Sequence, residues 1–281
     1  MPELPEVDAL VTFLRPRIVG DFVTRTDIGE LSILKTADPP LEALNGLEIT
    51  GVSRVGKSLI IAFAGLELVC RFARAGWLVW HELVPTGPVR MGKGPLALRL
   101  HLASGAGFDI SEAGTKKNAA ASLVADRSEV PAIANAGPDA LSIDAAEFTA
   151  TLAGSTARIK TVLEDQSLIS GIGNAYSDEI LHTAQLSPFA TANGVDAPSL
   201  LDTIREVLGH AREALIDLPP AKVKAAKKRG FRVHGRTGKT CPVCGSTIAE
   251  VSYSDKSLQY CPGCQTGGRK LSDRRMDRLL K

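Results

Sequence analysis

The stretch "CPVCGSTIAEVSYSDKSLQYCPGC", Cys241–Cys264, decides how the end of this 281-residue chain folds. Its cysteines run C-x2-C, sixteen residues, then C-x2-C, which is the spacing of a four-thiolate zinc site with Cys241, Cys244, Cys261 and Cys264 as ligands. Each pair is expected in a turn, with Gly245 and Gly263 taking the positive φ that such knuckles need. Between the pairs, "TIAEVSYSDKSLQYC" alternates as a β-hairpin with its turn near Ser254-Asp255. One structural zinc ion would hold together a unit too small to build its own core. Two disulfides or free thiols are the alternative, but a cytoplasmic chain does not normally keep disulfides. The fifth cysteine, Cys70 in "ELVCRF", is expected to be a buried small hydrophobe.

Around the cysteines the charge changes sign. Residues 221–281 hold 15 Lys+Arg against 4 Asp+Glu, net +11, which leaves 18 against 27, net −9, in residues 1–220. A basic C-terminal fifth on an acidic body suggests that the chain end meets a polyanion, the alternative being a solvated basic tail. "KVKAAKKRGFRVHGRTGKT" before the cysteines and "GGRKLSDRRMDRLLK" after them interleave basic residues with Gly and Phe231, a surface suited to tracking nucleic-acid phosphates. No apolar run approaches the roughly 18–20 residues of a bilayer span, and the start lacks a secretory signal, so a cytoplasmic protein is expected.

Residues 3–19 read as a helix, with Val7, Leu10, Val11 and Leu14 on one face and Pro5 in the first turn. From about 21 to 124, short apolar or alternating runs broken by Gly and Pro, such as "SLIIAFAG" and "LALRLHLA", read as strands of an antiparallel sandwich or barrel. A connector spans 126–143, and 144–218 returns to helical periodicity with Asp144 as an N-cap. In "SGIGNAYSDEIL", Gly171 and Gly173 allow a tight turn with outward amides, and Asn174 opens the next helix. That arrangement can bind a phosphate, although two such glycines are also an ordinary turn.

Several stretches converge on one family. "PELPEV" at 2–7, "GK" at 56–57, "IKTVLEDQSLISGIGNAYSDEIL" at 159–181, "VHGRTGKTCPVCG" at 233–245 and "YCPGCQ" at 260–265 together resemble the formamidopyrimidine-DNA glycosylase and endonuclease VIII family. The resemblance implies an α+β fold: an N-terminal helix with a two-layer β-sandwich (1–125), a connector (126–143) and a helix-two-turns-helix domain (144–220). A basic linker (221–239), a four-cysteine zinc-finger β-hairpin (240–266) and a basic tail (267–281) follow. It also implies a bifunctional DNA glycosylase and abasic-site lyase of base excision repair. Its partner would be double-stranded DNA carrying an oxidised base or an abasic site, and the protein a nucleoid-associated bacterial monomer.

On this resemblance Pro2, exposed by loss of Met1, is the nucleophile, because its secondary amine gives an iminium with the sugar C1′ directly. A generic α-amino group, at about 7.7–8.0 against about 10.4 for lysine, has a free-base fraction up to roughly a few hundred times larger at neutral pH. Glu3 is implied as the proton shuttle, and Glu6, one turn on, as a residue orienting the amine. Lys57 supplies a cation beside the flipped nucleotide. Asn174 and Gly173 hold a flanking phosphate, Lys160 is a second clamp, and Arg74, Lys93 and Arg236 are further expected DNA contacts.

Three departures from the family pattern bear on specificity. Lys256 stands where an arginine bridges phosphates, so the bidentate fork is lost and δ-elimination is put in doubt. Arg74 occupies the position of the methionine that fills the void left by the flipped base, and "SEAGTKKN" offers only Lys116 or Lys117 where an arginine and an aromatic are expected. Only "LPPAKVKAAKKRG" separates the last helix from "FRVHGR", too little for a loop that caps 8-oxoguanine. These departures lean towards oxidised pyrimidines or abasic sites. Formamidopyrimidine or 8-oxoguanine excision, a catalytically silent damage-binding protein and a zinc-ribbon RNA-binding or transcription factor are the alternatives.

Overall fold

The computed structural model describes residues 1–253 and 256–272. The chain forms two compact units, one of Met1–Ala136 with Arg212–Lys224 and one of Gly137–Ala211 with Ala225–Lys281.

In the first unit, helix α1 (Leu4–Ile18) buries Leu4, Val7, Leu10, Leu14 and Ile18 completely, the one-sided apolar stripe its sequence dictates. Eight strands follow: β1 (Val23–Ile28), β2 (Ile49–Val55), β3 (Ser58–Phe63), β4 (Glu67–Arg71), β5 (Gly76–His81), β6 (Leu96–Leu102), β7 (Gly107–Glu112) and β8 (Ala120–Val124). They make two four-stranded antiparallel sheets in the orders β1-β6-β7-β5 and β2-β3-β4-β8. The α+β architecture expected from the sequence is the one observed. Strand β6 shows what the burial requires. Leu98 and Leu100 are fully buried on one face, and Arg99 is buried on the other. The Arg99 guanidinium is tolerated there because it donates twice to Asp109, at 2.7 and 2.8 Å, and once to the Pro85 carbonyl at 3.1 Å. Cys70 in β4 is buried as expected, and burial pushes its thiol up to about 12.

The connector carries the one-turn helix α2 (Pro131–Ala134). In the second unit, α3 (Ala145–Ala153) begins at Asp144, whose carboxylate accepts the Ala146 and Glu147 amides at 2.8 and 3.4 Å. Helices α4 (Ile159–Glu164) and α5 (Asn174–Thr183) follow, then α6 (Ala197–Leu215), which buries Leu200, Ile204 and Leu208. Of the expected basic linker at 221–239, residues up to 230 belong to helix α7 (Pro220–Gly230). Proline at the first position and a run of Ala, Lys and Arg suffice for it.

The zinc hairpin pairs β9 (Ala249–Ser252) with β10 (Ser257–Tyr260) and ends in the one-turn helix α8 (Pro262–Gln265). Its expected turn at Ser254-Asp255, and the part of the basic tail after residue 272, lie outside the described residues. Among the described residues, no helix is long and apolar enough to cross a membrane.

Candidate functional site

In the first unit the site starts at the cap of α1. Glu3 is the N-cap residue, with φ −120° and ψ −173°. Glu6 Oε2 accepts the Glu3 N–H at 2.7 Å while the Glu3 carboxylate accepts the Glu6 amide, a reciprocal capping box. Both residues are almost fully buried, at 2 % and 1 % exposure, and Pro2 is buried beside them. Two carboxylates are tolerated there because unpaired amides and the positive end of the helix dipole face them. Glu6, expected to orient the amine, holds the backbone of Glu3.

Lys57 lies half-buried in the two-residue turn joining β2 and β3, preceded by Gly56 at φ +52°. The turn is tied to α1: Asp8 accepts from Arg54 Nε at 2.5 Å, and Arg54 Nη1 donates to the Gly56 carbonyl at 3.3 Å. Asp8 also accepts from Arg212 Nε at 3.0 Å. Sequence reasoning missed Asp8 and Arg54, because their link spans 46 residues and neither belongs to a motif. Arg74 is exposed in the turn after β4, next to Ala73 at φ +48°, and Lys93 is exposed in the loop before β6. The loop after β7 is braced by the buried Glu112 carboxylate, which accepts the Asn118 and Ala119 amides. There Lys117 donates back to the Glu112 carbonyl, whereas Lys116 is exposed. A cavity of about 660 Å3 in this unit is lined by Phe13, Arg17, Trp77, Trp80 and Pro220 and by none of the expected site residues.

In the second unit, the turn between α4 and α5 differs from expectation. Gly171 has φ +108°, but its amide donates inward to Gln166 Oε1 at 3.0 Å, and Gln166 Nε2 donates to the Ile172 carbonyl at 2.7 Å. That glutamine staples the turn and removes one of the amides expected to face a phosphate. Gly173 caps α5 with extended backbone. Asn174 Nδ2 donates to the Ser257 carbonyl at 2.9 Å, and its Oδ1 has no hydrogen-bond partner among the described residues.

Lys160 is also corrected. It is 5 % exposed and donates to Asp178 Oδ1 at 2.7 Å, Ser177 Oγ at 2.6 Å and the Asn174 carbonyl at 3.1 Å, with Glu164 Oε1 at 3.0 Å. A buried ammonium needs such partners, so Lys160 props the start of α5 instead of reaching out as a clamp. Lys256 is exposed and ion-paired to the other oxygen of Glu164. Burial opposes the ionisation of Glu164, yet Lys160 and Lys256 hold its carboxyl below the usual range. Asp178 further accepts from His234 Nδ1 at 2.7 Å and the Gln259 amide at 3.2 Å. Glu179 accepts three amides, of Arg232, Val233 and His234, at 2.8 to 2.9 Å. The pair Asp178-Glu179 thus ties α5 to the segment entering the zinc hairpin. Phe231, expected on a phosphate-tracking surface, is buried edge-on to Tyr176, with ring centroids 5.6 Å apart. Lys222, Lys228 and Arg229 of α7 stay exposed, and Arg236 is half-buried with Nε unpartnered among the described residues.

The four hairpin cysteines fit a zinc ion. Cys244 Sγ lies 3.3 Å from Cys261 Sγ, and Cys241 Sγ 3.9 Å from Cys264 Sγ, bracketing the ~3.8 Å that two sulfurs span across a tetrahedron with Zn–S of about 2.3 Å. Gly245 has φ +78° as expected, but Gly263 does not take a positive φ. Its lack of a side chain matters for space, since a Cβ would lie 2.4 Å from Ser246 Oγ and 2.9 Å from Cys244 Sγ. The site is structural and holds one zinc.

Residues 1–115 match the family model of the formamidopyrimidine-DNA glycosylase N-terminal domain, residues 136–216 that of its H2TH domain, and residues 238–267 that of the zinc finger found in FPG and IleRS. An uncharacterized formamidopyrimidine-DNA glycosylase-like protein of Mycobacterium tuberculosis is 55 % identical over 148 residues, covering 52 % of this chain and 94 % of that protein. The formamidopyrimidine-DNA glycosylase of Solibacter usitatus is 33 % identical over 276 residues, 94 % of this chain and 99 % of that one. Among solved structures, a point mutant of Lactococcus lactis FPG in complex with Fapy-dG-containing DNA has a TM-score of 0.81 at 26 % identity, over 94 % of this chain and 100 % of that one. The Lactococcus lactis enzyme bound to DNA with an abasic site gives the same TM-score and identity, over 94 % and 99 %.

Proposed function

The chain belongs to the formamidopyrimidine-DNA glycosylase family, DNA glycosylases with abasic-site lyase activity that act in base excision repair, and from this we propose how its own residues carry the reaction. The reading rests on the buried capping box of Glu3 and Glu6 directly after a proline. With Met1 removed, the Pro2 nitrogen becomes a secondary amine beside a carboxyl group. It attacks C1′ of the extruded nucleotide. The bond from C1′ to the base breaks with its electron pair moving to the base, and Glu3 supplies the proton. The C1′–O4′ bond then breaks with its electron pair moving to O4′, which takes up the proton released by the Pro2 nitrogen. The open-chain iminium that results acidifies the C2′ proton; the Glu3 carboxylate takes that proton and the 3′ phosphate leaves by β-elimination.

Lys57, on a turn braced through Arg54 to α1, acts as a cation beside the nucleotide. Asn174 and Lys256 contact phosphates of double-stranded DNA that carries an oxidised base or an abasic site. Lysine at 256 offers a point charge without a fork, which supports cleavage that ends mainly at β-elimination. The stretch before Phe231 is taken up by α7, which supports a preference for oxidised pyrimidines and abasic sites over a capped 8-oxoguanine. The basic C-terminal fifth, net +11, supports a cytoplasmic, nucleoid-associated protein.

Borohydride trapping on abasic-site DNA tests this assignment. The wild-type chain is expected to form a covalent adduct that Pro2→Gly abolishes and Glu3→Gln slows. Binding without an adduct in the wild type would instead indicate a silent damage-binding protein. A panel of 8-oxoguanine, formamidopyrimidine, thymine glycol and dihydrouracil decides the lesion class. Efficient 8-oxoguanine excision would overturn the pyrimidine preference while leaving the chemistry intact.

A further inference from the structure

His182 sits in the last turn of α5 and is 2 % exposed. Its Nε2 lies 3.3 Å from Cys241 Sγ, and its Nδ1 has no hydrogen-bond partner among the described residues. A buried imidazole with one nitrogen unsatisfied is a poor filler for a seam that leucine would pack without penalty. Its contact with sulfur is what favours it there. His182 Nε2 and the Sγ atoms of Cys241, Cys261 and Cys264 all lie within 4.8 Å of one another. The remaining cysteine, Cys244, is the exposed one. Five donor atoms therefore stand at a site that takes four ligands, and one of them belongs to an exposed residue.

We propose that His182 is a reserve ligand of the zinc site, closing the tetrahedron in place of Cys244 when that exposed thiolate is lost. With Cys244 bound, the Nε2–H of His182 donates to the Cys241 thiolate and orients it, as outer groups do for metal ligands. A peroxide reaching the site transfers an oxygen atom to the Cys244 sulfur. The sulfur is oxidised to the sulfenate, the peroxide is reduced to water or an alcohol, and the sulfenate takes a proton from solvent as it leaves the site. Water entering at the vacated position exchanges the ring proton, removing it from Nε2 and returning one to Nδ1, and the Nε2 lone pair takes the open position. Zinc accepts both four-thiolate and three-thiolate, one-imidazole sets in structural sites. With Zn–N of about 2.0–2.1 Å and Zn–S of about 2.3 Å, nitrogen and sulfur on one ion stand roughly 3.5 Å apart, close to the contact His182 already makes with Cys241. The consequence is a ribbon that keeps its metal, and so its fold, after its outermost ligand is damaged.

Metal content and cobalt spectroscopy of the full chain test this. Cys244→Ala is expected to retain one zinc per chain through gel filtration. In its cobalt form it should lose about one quarter of the sulfur-to-metal charge-transfer intensity, one thiolate in four. His182→Leu alone should retain the metal with the four-thiolate spectrum, and Cys244→Ala/His182→Leu should lose it. The proposal is overturned if Cys244→Ala is already metal-free, if the double variant keeps its metal, or if His182→Leu alone strips it.

Discussion

Asp178→Ala removes the anion at the centre of the second unit. The Asp178 side chain is fully buried and holds Lys160, itself 6 % exposed at the side chain, at 2.7 Å. It also holds His234 and the Gln259 amide. Breaking a buried ion pair from one side costs about 3–5 kcal/mol, because the other charge stays behind uncompensated. Here Glu164 at 3.0 Å and Ser177 at 2.6 Å remain to Lys160, and His234 can turn to water. The low end, about 3 kcal/mol, is therefore expected, a large share of the roughly 5–15 kcal/mol typical of a domain. In urea this corresponds to a midpoint lower by about 1–3 M.

The assay follows from where the chromophores lie. Both tryptophans, Trp77 and Trp80, are in the first unit. Their fluorescence is an internal control, while zinc release to a chromophoric chelator follows the second unit. The second-unit transition should move and the tryptophan transition should not. Lys160→Met/Asp178→Leu, which removes both charges at similar volume, should recover much of the loss. A cost below about 1 kcal/mol for Asp178→Ala, or a double variant worse than the single, would refute the assignment of Lys160 as a buried prop.

Three further outcomes are expected. Glu164→Gln frees Lys256 from its internal partner, and affinity for DNA holding an abasic-site analogue should rise about two- to fivefold, the range of an exposed ion pair; fluorescence anisotropy measures it, and an unchanged or lower affinity would count against competition between Glu164 and phosphate. Burial, set against three donated amides, raises the Glu179 carboxyl above its ordinary 4.5. The folded unit then binds more protons than the unfolded one just above that value, so stability should fall as pH rises through the raised pKa. Glu179→Gln should flatten that slope in urea titrations at constant zinc. Gly263→Ala puts a methyl group against Ser246 and Cys244 and should speed zinc release to a chelator, whereas the same change at Gly209 in α6, with nothing within 4 Å and no positive φ, should leave the release rate near wild type.

What this sequence determined by itself was local, although not everything local: the Gln166 staple on Gly171 and helix α7 are also short-range and carry no motif that marks them. Each C-x2-C pair, the Asp144 cap and the apolar stripe of α1 depend on separations of two to a few residues, which local geometry enforces. Tertiary structure decided what long polar side chains do. Lys160 looked like a surface cation, but its partners Ser177 and Asp178 belong to another helix, and burial converts a phosphate ligand into a prop. Asn174 meets Ser257 across 83 residues, Lys256 meets Glu164 across 92, and His182 meets Cys241 across 59. None of these has a periodic signature, because a side chain's charge and reach say which partners it can accept, and only the packed chain says which of them is within reach.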